Sequence, residues 1–233
     1  MKASITKTQK FPKSPRWHNQ QMVSAARTSA GWRSGALLLL AGMALCAEPA
    51  LAHHATGGET PKTFLEGFLS GLAHPVIGLD HFAFVVAIGL LAAKQGWGLL
   101  FPLSFLLAAL GGTTLHLNLV DLPAVEIAIA GSVLIIGLLL GLRKTLPLGG
   151  AIAFGILAGL FHGYAYGESI VGATPSPLTA YLLGFTLIQA AIAFGVWWLG
   201  DRLLRRTTER AKTLALPGLA IAGVGLVFLL QAI

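Results

Sequence analysis

Apolar residues run in long blocks along this chain, and polar residues gather in short segments between them. From Phe64 onward six blocks follow one another, roughly 64–93, 97–119, 122–142, 146–166, 177–200 and 213–232. Each is long enough to cross about 30 Å of hydrocarbon as a helix. Blocks that are apolar on every face cannot be the one-sided helices of a soluble domain. The pattern therefore predicts an all-α membrane protein, a six-transmembrane-helix bundle. The first block has internal punctuation. Thr63-Phe-Leu-Glu66 reads as a capping box that starts a helix, and Phe64, Leu65, Phe68, Leu69 and Leu72 continue with helical spacing. Pro75 then removes a backbone donor and crowds the preceding turn. The expectation is a short outer helix over 64–73, a break at 74–78, and a second helix running inward to Ala93.

A separate, shorter apolar run precedes these blocks. Arg27 and Arg33 lead into Ala36 to Leu45, and Ala50-Leu51-Ala52 follows as an A-x-A cleavage pattern. This is the layout of a secretory signal peptide, with an uncleaved first span as the competing reading. Residues 1–21 are polar and unpatterned, and Met22 would give a more usual signal length. Cleavage after Ala52 would remove Cys46, the only cysteine, and with it any disulfide or thiolate chemistry. The expected organisation is then a leader and signal peptide over 1–52, an extracytoplasmic tail over 53–62 and a six-helix transmembrane domain over 63–233.

Composition agrees: 55% of residues are hydrophobic and 11% charged, against about 25% charged in soluble domains. The formal charge of +7 does not signal nucleic acid, because seven of the sixteen basic residues precede the first apolar run. The remaining basic residues fix orientation. With the mature N-terminus outside, the first, third and fifth loops face the cytoplasm. They carry Lys94, then Arg143 and Lys144, then Arg202, Arg205, Arg206, Arg210 and Lys212. Outside these loops only Lys62 follows the signal, so the positive-inside rule holds. Trp97, Trp197 and Trp198 fall at inner ends of spans, as an aromatic belt requires. Both termini of the mature chain are thus expected on the periplasmic side of a bacterial inner membrane. Gly155, Gly159 and Gly163 form a stripe that allows close helix approach.

Ionisable residues inside the apolar blocks carry the chemical signal. The stretch HPVIGLDH (74–81) puts His74, Asp80 and His81 in the outer half of the first span. His116 lies near the outer end of the second, Glu126 one turn into the third, and His162 and Glu168 near the outer end of the fourth. All six histidines from His53 onward map to the outer half. Such groups are costly in hydrocarbon and face one another or a wet cavity. Imidazole with carboxylate, and no sulfur, suits Ni, Co, Zn, Cu or Fe. On an unbroken helix His74 and His81 would sit about 10 Å apart along the axis, too far for one ion. The Pro75–Gly78 break can change that, and unwound backbone at membrane depth is a recognised way to line an ion site. Signal cleavage would also expose His53 and His54, whose amine and imidazoles could chelate an ion. His116 could equally be a helix–helix hydrogen-bond partner, Asp121 and Glu126 an electrostatic lure, Glu168 a helix end and Gln189 packing glue.

HPVIGLDH together with FHGYAYGE (161–168) resembles the HupE/UreJ family of nickel and cobalt permeases. The resemblance extends over nearly the whole mature chain. It implies secondary uptake of Ni²⁺ or Co²⁺ for hydrogenase or urease assembly, with His74, Asp80, His81, His162 and Glu168 at the family's important positions. Some relatives have a further histidine where Tyr166 stands. The ion is then cargo, not a permanent cofactor, and the expected partners are that ion, the lipid bilayer and optionally further copies of the chain. Without a nucleotide-binding motif, uptake would draw on an ion gradient or the membrane potential, worth about 2.3 kcal/mol per charge per 100 mV. Ligation needs deprotonated groups, so binding should weaken as pH falls through the histidine range. Two other classes fit the same cluster: a membrane metalloenzyme or haem protein, which a Soret band would reveal, and a metal sensor or chaperone, which would bind without flux.

Overall fold

A computed structural model describes residues 59–206 and 209–233. The leader, the cleavage sequence, Cys46, His53 and His54 lie outside the described residues. The described chain is helical throughout, with no strand: α1 (Phe64–Ile77), α2 (Leu79–Gln95), α3 (Leu100–Leu117), α4 (Val125–Gly141), α5 (Leu148–Glu168), α6 (Pro175–Leu204), the single turn α7 (Arg210–Thr213) and α8 (Ala215–Ala232). Helices α3, α5, α6 and α8 are each long and apolar enough to cross a membrane, and α1 with α2 qualify together as one span bent by 77°. Helix α4 is equally apolar but has 17 residues, just under the usual ~20. Every predicted block therefore contains a helix, and four or five of them satisfy the length of a full crossing.

The predicted punctuation of the first block is corrected in one respect. The capping box forms: the Glu66 amide donates to Thr63 Oγ1 (3.2 Å) and the Thr63 amide to Glu66 Oε2 (3.3 Å). The helix then runs through Pro75 and stops at Ile77, not at residue 73. Pro75 sits in the last turn, where its missing donor costs only the bond to the Gly71 carbonyl. The Gly78 amide still donates to the His74 carbonyl (3.1 Å). The chain turns at Gly78, whose φ of −68° and ψ of 101° leave the helical region.

Three close-packed seams hold the bundle: α3 against α5, α4 against α8, and α1 against α6, while α2 packs on α6 and α4. Helices in lipid gain little from hydrophobic exclusion, so their contact depends on dense packing of small residues. The glycine stripe on α5 supplies this: a Cβ on Gly159 would run into the Phe105 carbonyl, and one on Gly163 into the Ala109 carbonyl. From the facing helix, Gly112 lies against the Leu160 carbonyl. Gly137 meets Ala222 in the α4/α8 seam in the same way, and Gly71 meets the Tyr181 carbonyl in the α1/α6 seam.

The burial pattern inverts that of a soluble protein. Leu107, Leu157 and Leu230 are 68%, 57% and 63% exposed, whereas Ser70, Thr113, Ser132, Ser169, Gln189, His74, Asp80, His81 and His162 are buried. Apolar side chains point outward and polar ones inward, as lipid demands. At the opposite end of the bundle from His74, Lys94 Nζ donates to the carbonyls of Leu139 (3.3 Å) and Lys144 (2.7 Å). Gln95 adds a bond to the Leu146 carbonyl (3.2 Å), so the end of α2 satisfies carbonyls in the last turn of α4 and in the loop after it.

The seams yield a paired prediction. Gly163→Ala drives a methyl into the Ala109 backbone and should destabilise the bundle by about 1–3 kcal/mol, the usual cost of overpacking. Gly131→Ala, on α4 with open space around it, should be close to neutral. Thermal unfolding of both variants in detergent, with equal losses, would contradict the seam.

Candidate metal site

The 77° bend is what assembles the buried polar cluster. His74 lies in the last turn of α1, and Asp80 and His81 in the first turn of α2. Folding the two arms across Gly78 brings the imidazole centroids of His74 and His81 to 5.8 Å, well inside the separation an unbroken helix would impose. All three side chains are buried. Asp80 Oδ1 accepts from the His81 amide at 2.8 Å. A carboxylate at this place offsets the open N–H groups and positive end of α2, which helps explain how a charge is tolerated there.

Gly78 is required for space and not for its backbone angles, which any residue can adopt. A Cβ there would stand 2.7 Å from Cδ2 of His81 and 3.4 Å from Oδ1 of Asp80. The imidazole is packed directly against the bare hinge.

His162, on α5, completes the cluster and is fully buried. Its Nδ1 is 2.8 Å from His81 Nδ1, and its Nε2 is 3.0 Å from Ser132 Oγ on α4. The rings of Phe84 and Phe105 flank it at centroid distances of 4.6 and 5.6 Å. Around His74, Nδ1 lies 2.9 Å from both Ser169 Oγ and Tyr181 Oη. Tyr166 packs against both hinge histidines, its ring 5.1 Å from His74 and 4.6 Å from His81. The Tyr166 hydroxyl donates to Gln189 Oε1 (3.3 Å), and Gln189 Nε2 donates to the Phe185 carbonyl (3.0 Å). Gln189 thus ties α5 to α6, as packing glue does.

Of the expected ligands, His74, Asp80, His81 and His162 are neighbours. Among the described residues, however, no three His, Cys, Asp or Glu side chains are gathered closely enough to hold one ion. His116 joins a different ring system, edge-on to Tyr164 at 4.4 Å, with a buried Nδ1 that has no hydrogen-bond partner. Glu168 ends α5 with its side chain exposed, and Glu126 is exposed in the first turn of α4. Glu126 lies within electrostatic range of Asp80 and Glu168, so the three place negative charge at one end of the bundle. Asp121 is exposed in the loop before α4.

Sequence reasoning missed Ser132, Ser169 and Tyr181. Ser132 is the one hydroxyl residue of α4, and a polar group in the middle of an apolar span was the available signal.

Fold and site together define a polytopic helical membrane protein with a buried histidine–aspartate cluster at a broken span. The chain belongs to the HupE / UreJ protein family, whose profile matches residues 40–228. It is 34% identical over 191 residues to Protein HupE of Rhizobium leguminosarum bv. viciae, covering 79% of this chain and 94% of that protein. No solved structure matches the chain. Members of the family are transporter-type proteins and not enzymes, which removes the metalloenzyme reading.

The hinge packing predicts that Gly78→Ala displaces the His81 ring from His162. The expected outcome is a stability loss of about 1–3 kcal/mol with changed histidine ring resonances. Unchanged resonances in the nuclear magnetic resonance spectrum would show that the hinge has room to spare.

Proposed function

We propose that the protein is a secondary carrier that imports a divalent transition-metal ion, Ni²⁺ and secondarily Co²⁺, across the bacterial inner membrane. The observation that carries this reading is the burial of His74, Asp80 and His81 around one hinge, with His162 in contact, in a chain of the HupE / UreJ family. Neutral imidazoles with a carboxylate form a donor set for borderline ions such as Ni²⁺ and Co²⁺. Buried ionisable groups inside a membrane bundle mark ion pathways more often than they serve stability. The curated relative carries the name HupE, and the family resemblance adds supply of hydrogenase or urease assembly.

The carrier is read as six spans, with α4 the shortest, after cleavage of the signal peptide behind Ala52. Both mature termini then face the periplasm, which puts Lys94, Arg143, Lys144 and the basic segment from Arg202 to Lys212 on the cytoplasmic side, in keeping with the positive-inside rule. Asp80, Glu126 and Glu168 lie toward the periplasmic end and raise the local cation concentration there. His53 and His54 would add a capture point ahead of the cluster. Glu168 and His116 stand outside the hinge contact network and are assigned to approach and packing respectively.

Radioactive Ni²⁺ uptake by proteoliposomes tests the reading. Asp80→Asn and His81→Ala should each lower uptake by at least about tenfold, the smaller end of what loss of even an outer-shell partner costs a metal site. His116→Phe, which keeps a ring against Tyr164, should leave uptake near wild type. Wild-type flux in both hinge variants would sink the assignment of the site.

A further inference from the structure

The buried cluster has polar neighbours on one side and aromatic ones on the other. Toward the end of the bundle where α5 stops, Ser169 and Tyr181 lie at hydrogen-bond distance from His74, and Glu126 and Glu168 are exposed beyond them. Toward the opposite end, marked by Lys94, the cluster meets phenyl rings.

The chain path sets their depth. Helix α2 starts at the cluster and runs to Gln95, whose side chain bonds the Leu146 carbonyl just ahead of α5. Helix α3 begins at Leu100, soon after α2 ends. Both α3 and α5 therefore start at the Lys94 end and run toward the cluster. Phe105 lies in the second turn of α3 and Phe154 in the second turn of α5. His162 comes two turns after Phe154, about 12 Å further along the axis.

Phe84 stands one turn past His81 on α2. Its ring is 4.6 Å from that of His162, 5.1 Å from Phe105 and 5.9 Å from Phe154. Phe84 and Phe105 are fully buried. Three helices thus each place a phenyl ring on the Lys94 side of His162. The apolar character continues beyond them: Ile88 and Leu91 follow Phe84 on the same face of α2 and are fully buried, as is Phe101 one turn before Phe105. No buried side chain of α2 past His81 is polar. A metal ion finds no oxygen or nitrogen donor along such a route, and an apolar constriction expels the water that would carry it.

We propose that Phe84, Phe105 and Phe154 form an apolar gate that closes the route from the cluster to the Lys94 end, with Phe84 as its moving leaf. The proposal rests on the carrier reading, under which that end faces the cytoplasm and the structure is shut toward it. Phe105 and Phe154 belong to the seam in which Gly159 meets the Phe105 carbonyl, so α3 and α5 stay together. Phe84 rides on α2, whose direction is set at Gly78. A swing of α2 about that hinge withdraws its ring from the other two.

The test reads access at Ile88 in the full chain carrying Cys46→Ser, so that Ile88→Cys introduces the only thiol. In lipid nanodiscs a small cationic thiosulfonate reaches both membrane faces. With the three rings intact the thiol should label slowly. Adding Phe84→Ala should speed labelling at least about tenfold, equivalent to about 1.4 kcal/mol of barrier. Phe185→Ala truncates a fully buried ring of the second core cluster and should leave labelling slow, although it too opens a cavity. Phe154→Ala trims a half-buried ring and gives the same reading where Phe84→Ala does not fold. Fast labelling with the rings intact, equal labelling after Phe84→Ala and Phe185→Ala, or no gain from either gate truncation would overturn the gate. The thiol is read without metal, so the gate is decided even if wild-type protein in proteoliposomes carries no Ni²⁺. That last result would overturn the carrier reading alone.

Discussion

A polar group in hydrocarbon has no water to turn to, and leaving one unpaired costs several kcal/mol. The hinge of this bundle places an aspartate and, with α5, three histidines in that position. Much of the interior is arranged to answer the need. Asp80 is held at the start of α2, where helix N–H groups are open. His74 is met by hydroxyls from the end of α5 and from α6, and His81 by an imidazole that is itself held by a hydroxyl on α4. Four helical spans contribute to one connected set of contacts, so the cluster also fixes how those spans stand relative to one another.

Such a network requires helices closer than ordinary side chains permit. The glycine seams provide this by letting backbone touch backbone. Gly71 faces the Tyr181 carbonyl in the seam that delivers the Tyr181 hydroxyl to His74. Gly163 lies one residue after His162 and rests on the Ala109 carbonyl, while its own carbonyl accepts from Thr113 Oγ1 at 2.7 Å. Packing and polar satisfaction therefore share the same few turns of helix. A substitution that widens a seam by an ångström would loosen hydrogen bonds near their optimum length.

Much of this was legible in the sequence, for identifiable reasons. Blocks of apolar residues set the spans because hydrocarbon thickness admits few alternatives. His74, Asp80, His81 and His162 stood out because ionisable residues are rare in such blocks. The stop at Gly78 was less legible than Pro75 suggested, since a proline in a last turn sacrifices a single bond and need not end the helix. Ser169 and Tyr181 were silent, and Ser132 gave only a weak signal, because hydroxyls are ordinary in membrane helices, where they often bond their own backbone. Their partners lie 30, 95 and 107 positions away in the chain, and such pairings follow from the seams, not from local pattern. His116 drew attention by the same rule that found the cluster, yet the packing of Gly167 against its ring directs it to Tyr164.

The bend has a geometric consequence for any ion held there. His74 rides on one arm of the hinge, and Asp80 and His81 on the other, with Gly78 alone between the two helices. Any change in the 77° angle must alter the distance from His74 to the other two. The two arms share α5 but differ in their second tether, His74 being held to α5 and α6, and His81 through His162 of α5 to α4. Relative motion of those helices would therefore reach the cluster as a change in ligand spacing. A carrier must hold its cargo firmly enough to select it and loosely enough to let it go. On the proposed carrier reading, donors divided across a hinge meet both demands, because they can be brought together or parted while the contacts that hold each ring in place persist.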